Sequence, residues 1–287
     1  MIYFLMAVVL IFLWLLYEWF QHREPVCEST DVECNKLLKG EEIKICLITD
    51  LHNNRKNMKK TAERIREFRP DMIALAGDMT EKHTRENKNA LQLIRELSTI
   101  APLCYSYGNH EEHMRQDKAA FWQSYLSAVS EYARVLDNEK TVMQFEHIKE
   151  SIGVSGLSLG EDFYKKGSLL QDDSLLPKLN GPDTEVHILL AHNPEYAFMY
   201  GKYQPDLVLS GHLHGGLLRL PGIGGVLAPR FAFPKEDAGA YSYPWGTLFI
   251  SRGLGSHTIP LRFFNKVTIN FINLCGTKEP QKQNGEQ

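Results

Sequence analysis

The chain has 287 residues, enough for one large or two small domains. Hydrophobic residues make up 43% and charged residues 23%, which excludes a disordered or collagen-like chain. With 32 basic and 35 acidic side chains the net charge is −3, which argues against nucleic-acid binding by bulk charge, and five cysteines are too few for a disulfide-built fold.

Met1 to Tyr17 carries no charged side chain, and Glu18 then interrupts before Trp19 and Phe20. An apolar run of this length reads as a bilayer-crossing helix, with Trp14, Tyr17 and Trp19 as an interfacial belt. A soluble core helix would show a polar face. A cleaved signal would show a basic start and a small-residue cleavage site, and neither is present. Residues 1–20 are therefore expected to be a single-pass membrane anchor. Arg23, with Lys36 and Lys39 further on, favours a cytoplasmic catalytic domain. Residues 21–42 read as a charged linker. Cys27 and Cys34 within it would form a disulfide on the outer face or stay free thiols in the cytosol. Cys46 and Cys104 lie in apolar runs and read as core.

From residue 43 short apolar strands alternate with helices. Ile43 to Thr49 is a strand. Asn57 to Phe68 is a helix with Met58, Ala62, Ile65 and Phe68 on one stripe, stopped by Pro70. Met72 to Ala76 is a strand, Asn87 to Leu97 a helix, and Leu103 to Tyr107 a strand. Between residues 132 and 157 strands follow one another too closely for helices, which predicts antiparallel hairpins. Val186 to Ala191, Leu207 to Ser210, Thr247 to Ser251 and Val267 to Ile272 are further strands, and residues 274–287 form a polar tail. The alternation predicts an α/β fold with sheets covered on both faces.

Five strand ends carry donor atoms: Asp50-Leu51-His52, Gly77-Asp78, Gly108-Asn109-His110-Glu111, His192-Asn193-Pro194 and Gly211-His212-Leu213-His214. Ligands in α/β proteins gather outside the carboxyl ends of strands, so these five can meet. Together they supply two carboxylates, one amide and five imidazoles, more than one ion needs. Asp-x-His and His-x-His place two donors on one side of an extended chain. Each motif alone is an ordinary polar loop. All five in order, each after an apolar run, are not readily a coincidence.

The set D-x-H, G-D, G-N-H-E, H and G-H-x-H resembles the calcineurin-like metallophosphoesterase superfamily over roughly residues 43–272. Gly211 to Gly216, Leu220 to Gly225 and Ser251 to Gly255 resemble a narrower branch, the bacterial membrane-associated phosphodiesterases of the YaeI/YkuE type. The resemblance implies a four-layer sandwich of two mixed β-sheets flanked by helices, here preceded by the transmembrane helix, with the catalytic domain over 43–273. It implies one metal on Asp50, His52, Asp78 and His214 and a second on Asp78, Asn109, His192 and His212. His110 would face the substrate phosphate and assist the leaving group while a metal-bridging hydroxide attacks. Two such ions share a hydroxide and clamp phosphoryl oxygens. The nitrogen and oxygen donors suit Mn²⁺, Fe or Zn²⁺.

Arg252 is a candidate phosphate contact through its guanidinium fork, or a surface arginine. His257, in the loop beyond it, is a candidate pocket residue. Glu111 would orient an imidazole or be a solvated charge. His22, His83, His113, His147 and His187 read as surface or loop residues. The expected function is a dimetal phosphodiesterase on a phosphate ester, and the anchor points to a lipid-linked one. The alternatives are a pyrophosphatase on a nucleotide-linked lipid such as UDP-diacylglucosamine, a nuclease, and a scaffold that has lost catalysis. A scaffold would normally lack ligands, and here all are in place.

Overall fold

The computed structural model describes residues 1–21, 24–165, 172–216, 218–220, 222–227, 232–255 and 262–280. Helices α1 (Ile2–Gln21), α2 (Met58–Phe68), α3 (Lys88–Leu97), α4 (Asn109–Asp117) and α5 (Ala119–Ser130) all lie in the first half of the chain. Strands β1 (Val26–Leu38), β2 (Glu42–Ile48), β3 (Met72–Ala76), β4 (Leu103–Ser106) and β5 (Arg134–Val135) come first, then β6 (Glu139–Met143), β7 (Ile152–Leu157), β8 (Val186–Ala191) and β9 (Leu207–Ser210). The short β10 (Arg219–Leu220) and β11 (Gly224–Gly225) pair with each other, and β12 (Gly239–Tyr243), β13 (Gly246–Ile250) and β14 (Thr268–Lys278) complete the set.

One six-stranded sheet runs β1-β14-β2-β3-β4-β5 and the other β12-β13-β9-β8-β7-β6. Strands β2 to β5 are mutually parallel, as are β7, β8, β9 and β13. The hairpin expected between residues 132 and 157 is β6–β7, antiparallel, whereas β5 runs parallel to β4.

The sheets pack face to face. Ile45, Leu47, Ala74 and Ala76 from one meet Ile188, Leu190, Leu207 and Leu209 from the other. The alternate residues Cys46, Ile48, Ile73 and Leu75 point outward under Ala62, Ile65, Ala90 and Ile94 of α2 and α3. Both faces of these strands are buried, so their sequences read as continuous apolar runs. A third cluster, with Leu189, Tyr196, Tyr200 and Leu248, covers the outer face of the second sheet.

Two expectations are corrected here. Among the described residues, no helix is long and apolar enough to cross a membrane. The membrane anchor over residues 1–20, the single-pass localisation and the membrane as a partner fall with it. So does the case for a lipid-linked substrate, which rested on the anchor. Within α1, Trp14 stacks on Phe263 with centroids 4.8 Å apart.

The second correction concerns residues 21–42, which hold β1 instead of a linker. This strand lies at the sheet edge, parallel to β14, and buries Val32, Cys34 and Leu37. Cys27 and Cys34 are seven residues apart on it, about 23 Å at ~3.3 Å per residue, so both thiols are free. β14 also extends to Lys278, into the stretch read as a polar tail.

Candidate metal centre

The parallel strands β2, β3 and β4 end side by side, and β8 and β9 end across from them. Asp50 and His52 follow β2, Asp78 follows β3, Asn109 and His110 open α4 after β4, His192 follows β8, and His212 and His214 follow β9. The chain turns abruptly at each end. Asp50, His52, Asp78, His212 and His214 take left-handed backbone conformations, with φ between 50° and 68°. Such a conformation costs about 1–3 kcal/mol per residue and persists only where the surroundings enforce it.

The turns bring the donors close. Asp78 Oδ2 lies 3.2 Å from His192 Nε2, 3.8 Å from His110 Nε2 and 3.9 Å from His52 Nε2. Asp50 Oδ1 lies 3.5 Å from His214 Nε2 and 3.8 Å from His192 Nε2. Among the described residues three groups with ligand atoms within 4.8 Å result, Asp50–His52–His214, Asp78–His192–His212 and His52–Glu81–His110. Two glycines permit this approach. A Cβ on Gly77 would stand 2.5 Å from the His192 ring, and one on Gly108 would stand 2.2 Å from Asp78 Oδ1.

The donor set fits metal ions. Among the described residues, the buried atoms Asn109 Oδ1 and His192 Nε2 have no hydrogen-bond partner. His192 Nδ1 sits 2.8 Å from the Ala76 carbonyl and donates to it, which turns the Nε2 lone pair toward the carboxylates. A lone pair facing carboxylate oxygens needs a cation between them. Without a metal a proton serves. Burial disfavours that proton, but Asp78 and Asp50 outweigh it and push the imidazole up to about 10. Burial likewise acts against the Asp78 carboxylate, yet His192 and His110 hold it well below the usual range.

Residues outside the motif ligands complete the site. Glu111 is fully buried rather than a solvated charge, and among the described residues its hydrogen bonds go to backbone and a tyrosine. Its carboxylate accepts from the N–H groups of Asp78 (2.8 Å), Thr80 (3.1 Å) and Gly108 (2.9 Å) and from the Tyr105 hydroxyl (2.7 Å), tying the loops after β3 and β4 together. Glu81 went unnoticed in the sequence. It stands 3.4 Å from His52 Nδ1 and 3.2 Å from His110 Nδ1, and its carboxyl is held below the carboxylate range against the opposing effect of burial. Its one sequence signal is an acid three residues after Asp78. Arg262, buried behind the centre, lies 3.0 Å from His214 Nδ1. The Tyr164 ring meets that of His212 edge-on at 5.3 Å.

The remaining candidates are placed as follows. Arg252 pairs with Glu28 of β1 and packs on Gly215 beside the ligand loop, one residue before Gly253, which lies against Asp50. His257 and His22 lie outside the described residues. His187 is buried on β8 rather than exposed, hydrogen-bonded to Ser155 and the Tyr203 carbonyl. His113 pairs with Asp117 and Glu161.

Glu112 carries a pH signature. Its side chain is 1% exposed beside Arg115, and burial pushes its carboxyl up to about 7 from the usual 4.5. The native state then keeps a proton that the unfolded chain releases, so stability falls as pH rises from 4.5 to about 7. The full effect is up to ~3 kcal/mol at 1.36 kcal/mol per unit. Urea midpoints of the metal-free protein at pH 5 and pH 8 should show this loss. Glu112→Gln should flatten it and be more stable than wild type at pH 8.

Comparison with known proteins agrees with this architecture. Residues 43–216 match the profile of the calcineurin-like phosphoesterases, more than half of the chain. The chain belongs to the calcineurin-like phosphoesterase family, whose class of chemistry is the metal-dependent hydrolysis of phosphoric esters. Among its relatives, an uncharacterized metallophosphoesterase of Campylobacter jejuni is 28% identical over 263 residues, covering 89% of this chain and 65% of that protein. The uncharacterized metallophosphoesterase YkuE of Bacillus subtilis is 29% identical over 217 residues, 74% of this chain and 71% of YkuE. The phosphodiesterase YaeI of Escherichia coli is 29% identical over 192 residues, 66% of this chain and 65% of YaeI. The chain thus spans about two thirds of the length of these relatives.

Proposed function

We propose that this protein is a dimetal phosphoesterase that hydrolyses phosphodiesters. The observation that carries the reading is the position of Asp78, whose one carboxylate faces His52, His110 and His192 at once. Asp50, His52, Asp78 and His214 would hold one ion, and Asp78, Asn109, His192 and His212 the other. When bound, the ions supply Lewis-acid polarisation of the phosphoryl oxygens and a lowered pKa for water.

His110 is the proton donor. The Lys82 N–H lies 3.1 Å from its Nδ1 and Glu81 Oε1 lies 3.2 Å from the same atom. An N–H donor at Nδ1 selects the tautomer with its proton on Nε2, and a carboxylate there favours the imidazolium. Either way Nε2 carries a proton and faces Asp78, where a departing alkoxide would collect it. Glu111 fixes the backbone on which Asp78 and His110 stand. The name of YaeI as a phosphodiesterase supports the diester preference.

The test is turnover of bis(p-nitrophenyl) phosphate and p-nitrophenyl phosphate by the full chain with Mn²⁺. The diester should be preferred. His110→Ala should lower kcat by about 10²–10⁴ while still binding two metals per chain. Undiminished turnover in that variant would remove His110 from the proton transfer.

A further inference from the structure

Beyond the ligand loop after β9 lies a cavity of about 530 Å³, bounded by β10, β11 and the segments leading to β12 and from β13. Its described lining holds three cations, Arg219, Lys235 and Arg252, against one anion, Asp237. Tyr241 and Phe264 add aromatic surface. The cavity adjoins the metal centre through shared backbone. Arg219 Nη1 is 3.3 Å from the carbonyl of Gly215, the residue after His214. The Arg252 side chain lies on the same glycine, and the next residue, Gly253, packs on Asp50.

Asp237 neutralises and orients Arg219, and Arg252 and Lys235 carry the cavity's further positive charge. Asp237 takes Arg219 at 2.8 Å and the Gly225 N–H, and is itself buried. Arg252 is paired with Glu28, a carboxylate 42% exposed on the edge strand β1. An ion pair with one partner so exposed is weak and readily exchanged for a better anion. Lys235 is exposed at the rim and extends the positive wall. A cavity of this size takes a phosphate together with the sugar- or glycerol-sized group that carries it.

We propose that this cavity binds a second, non-scissile phosphoryl group of the substrate, held by Arg219, Lys235 and Arg252 while the scissile diester sits at the metal centre. The inference rests on the phosphoesterase reading and narrows it. The preferred substrates are phosphodiesters that bear a further phosphate on the retained portion. Guanidinium groups suit that role because their paired N–H donors match phosphate oxygens.

Two esters test it: thymidine 5′-(p-nitrophenyl phosphate) with and without a 3′-phosphate. The Mn²⁺-loaded wild type should prefer the 3′-phosphorylated ester in kcat/KM by about tenfold. Lys235→Glu should shrink the ratio to near one. Glu28→Gln, which frees Arg252, should widen it. A wild-type ratio near one, or a ratio that Lys235→Glu leaves intact, overturns the inference and leaves the phosphoesterase reading standing. If neither ester turns over, the phosphoesterase reading fails, and calorimetry of inorganic phosphate with the metal-free protein decides the cavity. Phosphate binding lost in Lys235→Glu supports the site, and equal binding in both proteins overturns it.

Discussion

Asp78→Asn is expected to lower diester turnover by about 10³-fold or more, a loss of ~4 kcal/mol from transition-state stabilisation. The substitution keeps the size of the side chain and the Oδ1 acceptor that the His110 N–H uses at 2.9 Å. What it removes is the negative charge facing three imidazoles at 3.2–3.9 Å. A neutral amide binds divalent ions far less well than a carboxylate and cannot bridge two of them equally. The variant should therefore lose the rise in melting temperature that Mn²⁺ gives wild type, measured against EDTA. Turnover within tenfold of wild type, with the metal-induced rise intact, would place the bridge on another residue.

Glu111→Ala should cost more stability than any other single change in the ligand loops. Four donors converge on that carboxylate, three of them backbone N–H groups that cannot turn away. An orphaned buried donor costs about 1–3 kcal/mol. Four together reach ~4–12 kcal/mol, comparable to a domain's whole stability of about 5–15 kcal/mol. The expected result is a protein that fails to fold or melts at least about 10 °C lower. Glu111→Gln keeps one oxygen but turns an NH₂ toward a donor, and should fall between the two. Urea denaturation followed by far-UV circular dichroism gives the order. A Glu111→Ala protein as stable as wild type would mean that water replaces the carboxylate.

The ligand motifs were legible because each stands where an apolar run stops, so the end of a strand and the start of chemistry coincide in the sequence. Glu81 and Arg262 had no such signal. They reach the site only when loops close over it in three dimensions. α4 was hidden for an opposite reason. It buries Glu111, Glu112 and His110, so its inward face is polar and the usual pattern is inverted. α5 buries Trp122, Tyr125 and Val129 at helical spacing, a conventional apolar stripe. β1 alternates polar and small residues at a sheet edge, where half of the strand faces water, and so passed for a linker. The apolar stretch at residues 1–17 read as a membrane span because composition records hydrophobicity and not the contacts a helix makes. Trp14 rests on Phe263 of this same chain.

The pairing of β1 with β14 also sets a clock. Their contacts join residues as far as 242 positions apart, and β14 lies between β1 and β2 in the sheet. During synthesis at ~5–20 residues per second, β1 leaves the ribosome roughly 10–50 s before its neighbour exists. Over that interval its edge stands open. The arrival of β14 does more than cover it. The Thr268 N–H binds the Gly253 carbonyl at 3.1 Å, beside the Gly255 N–H that binds the Asp50 carbonyl at 2.6 Å. The turn that carries Asp50 is thus braced by the strand made long after it, and a nascent chain can hold every motif residue before the centre is rigid.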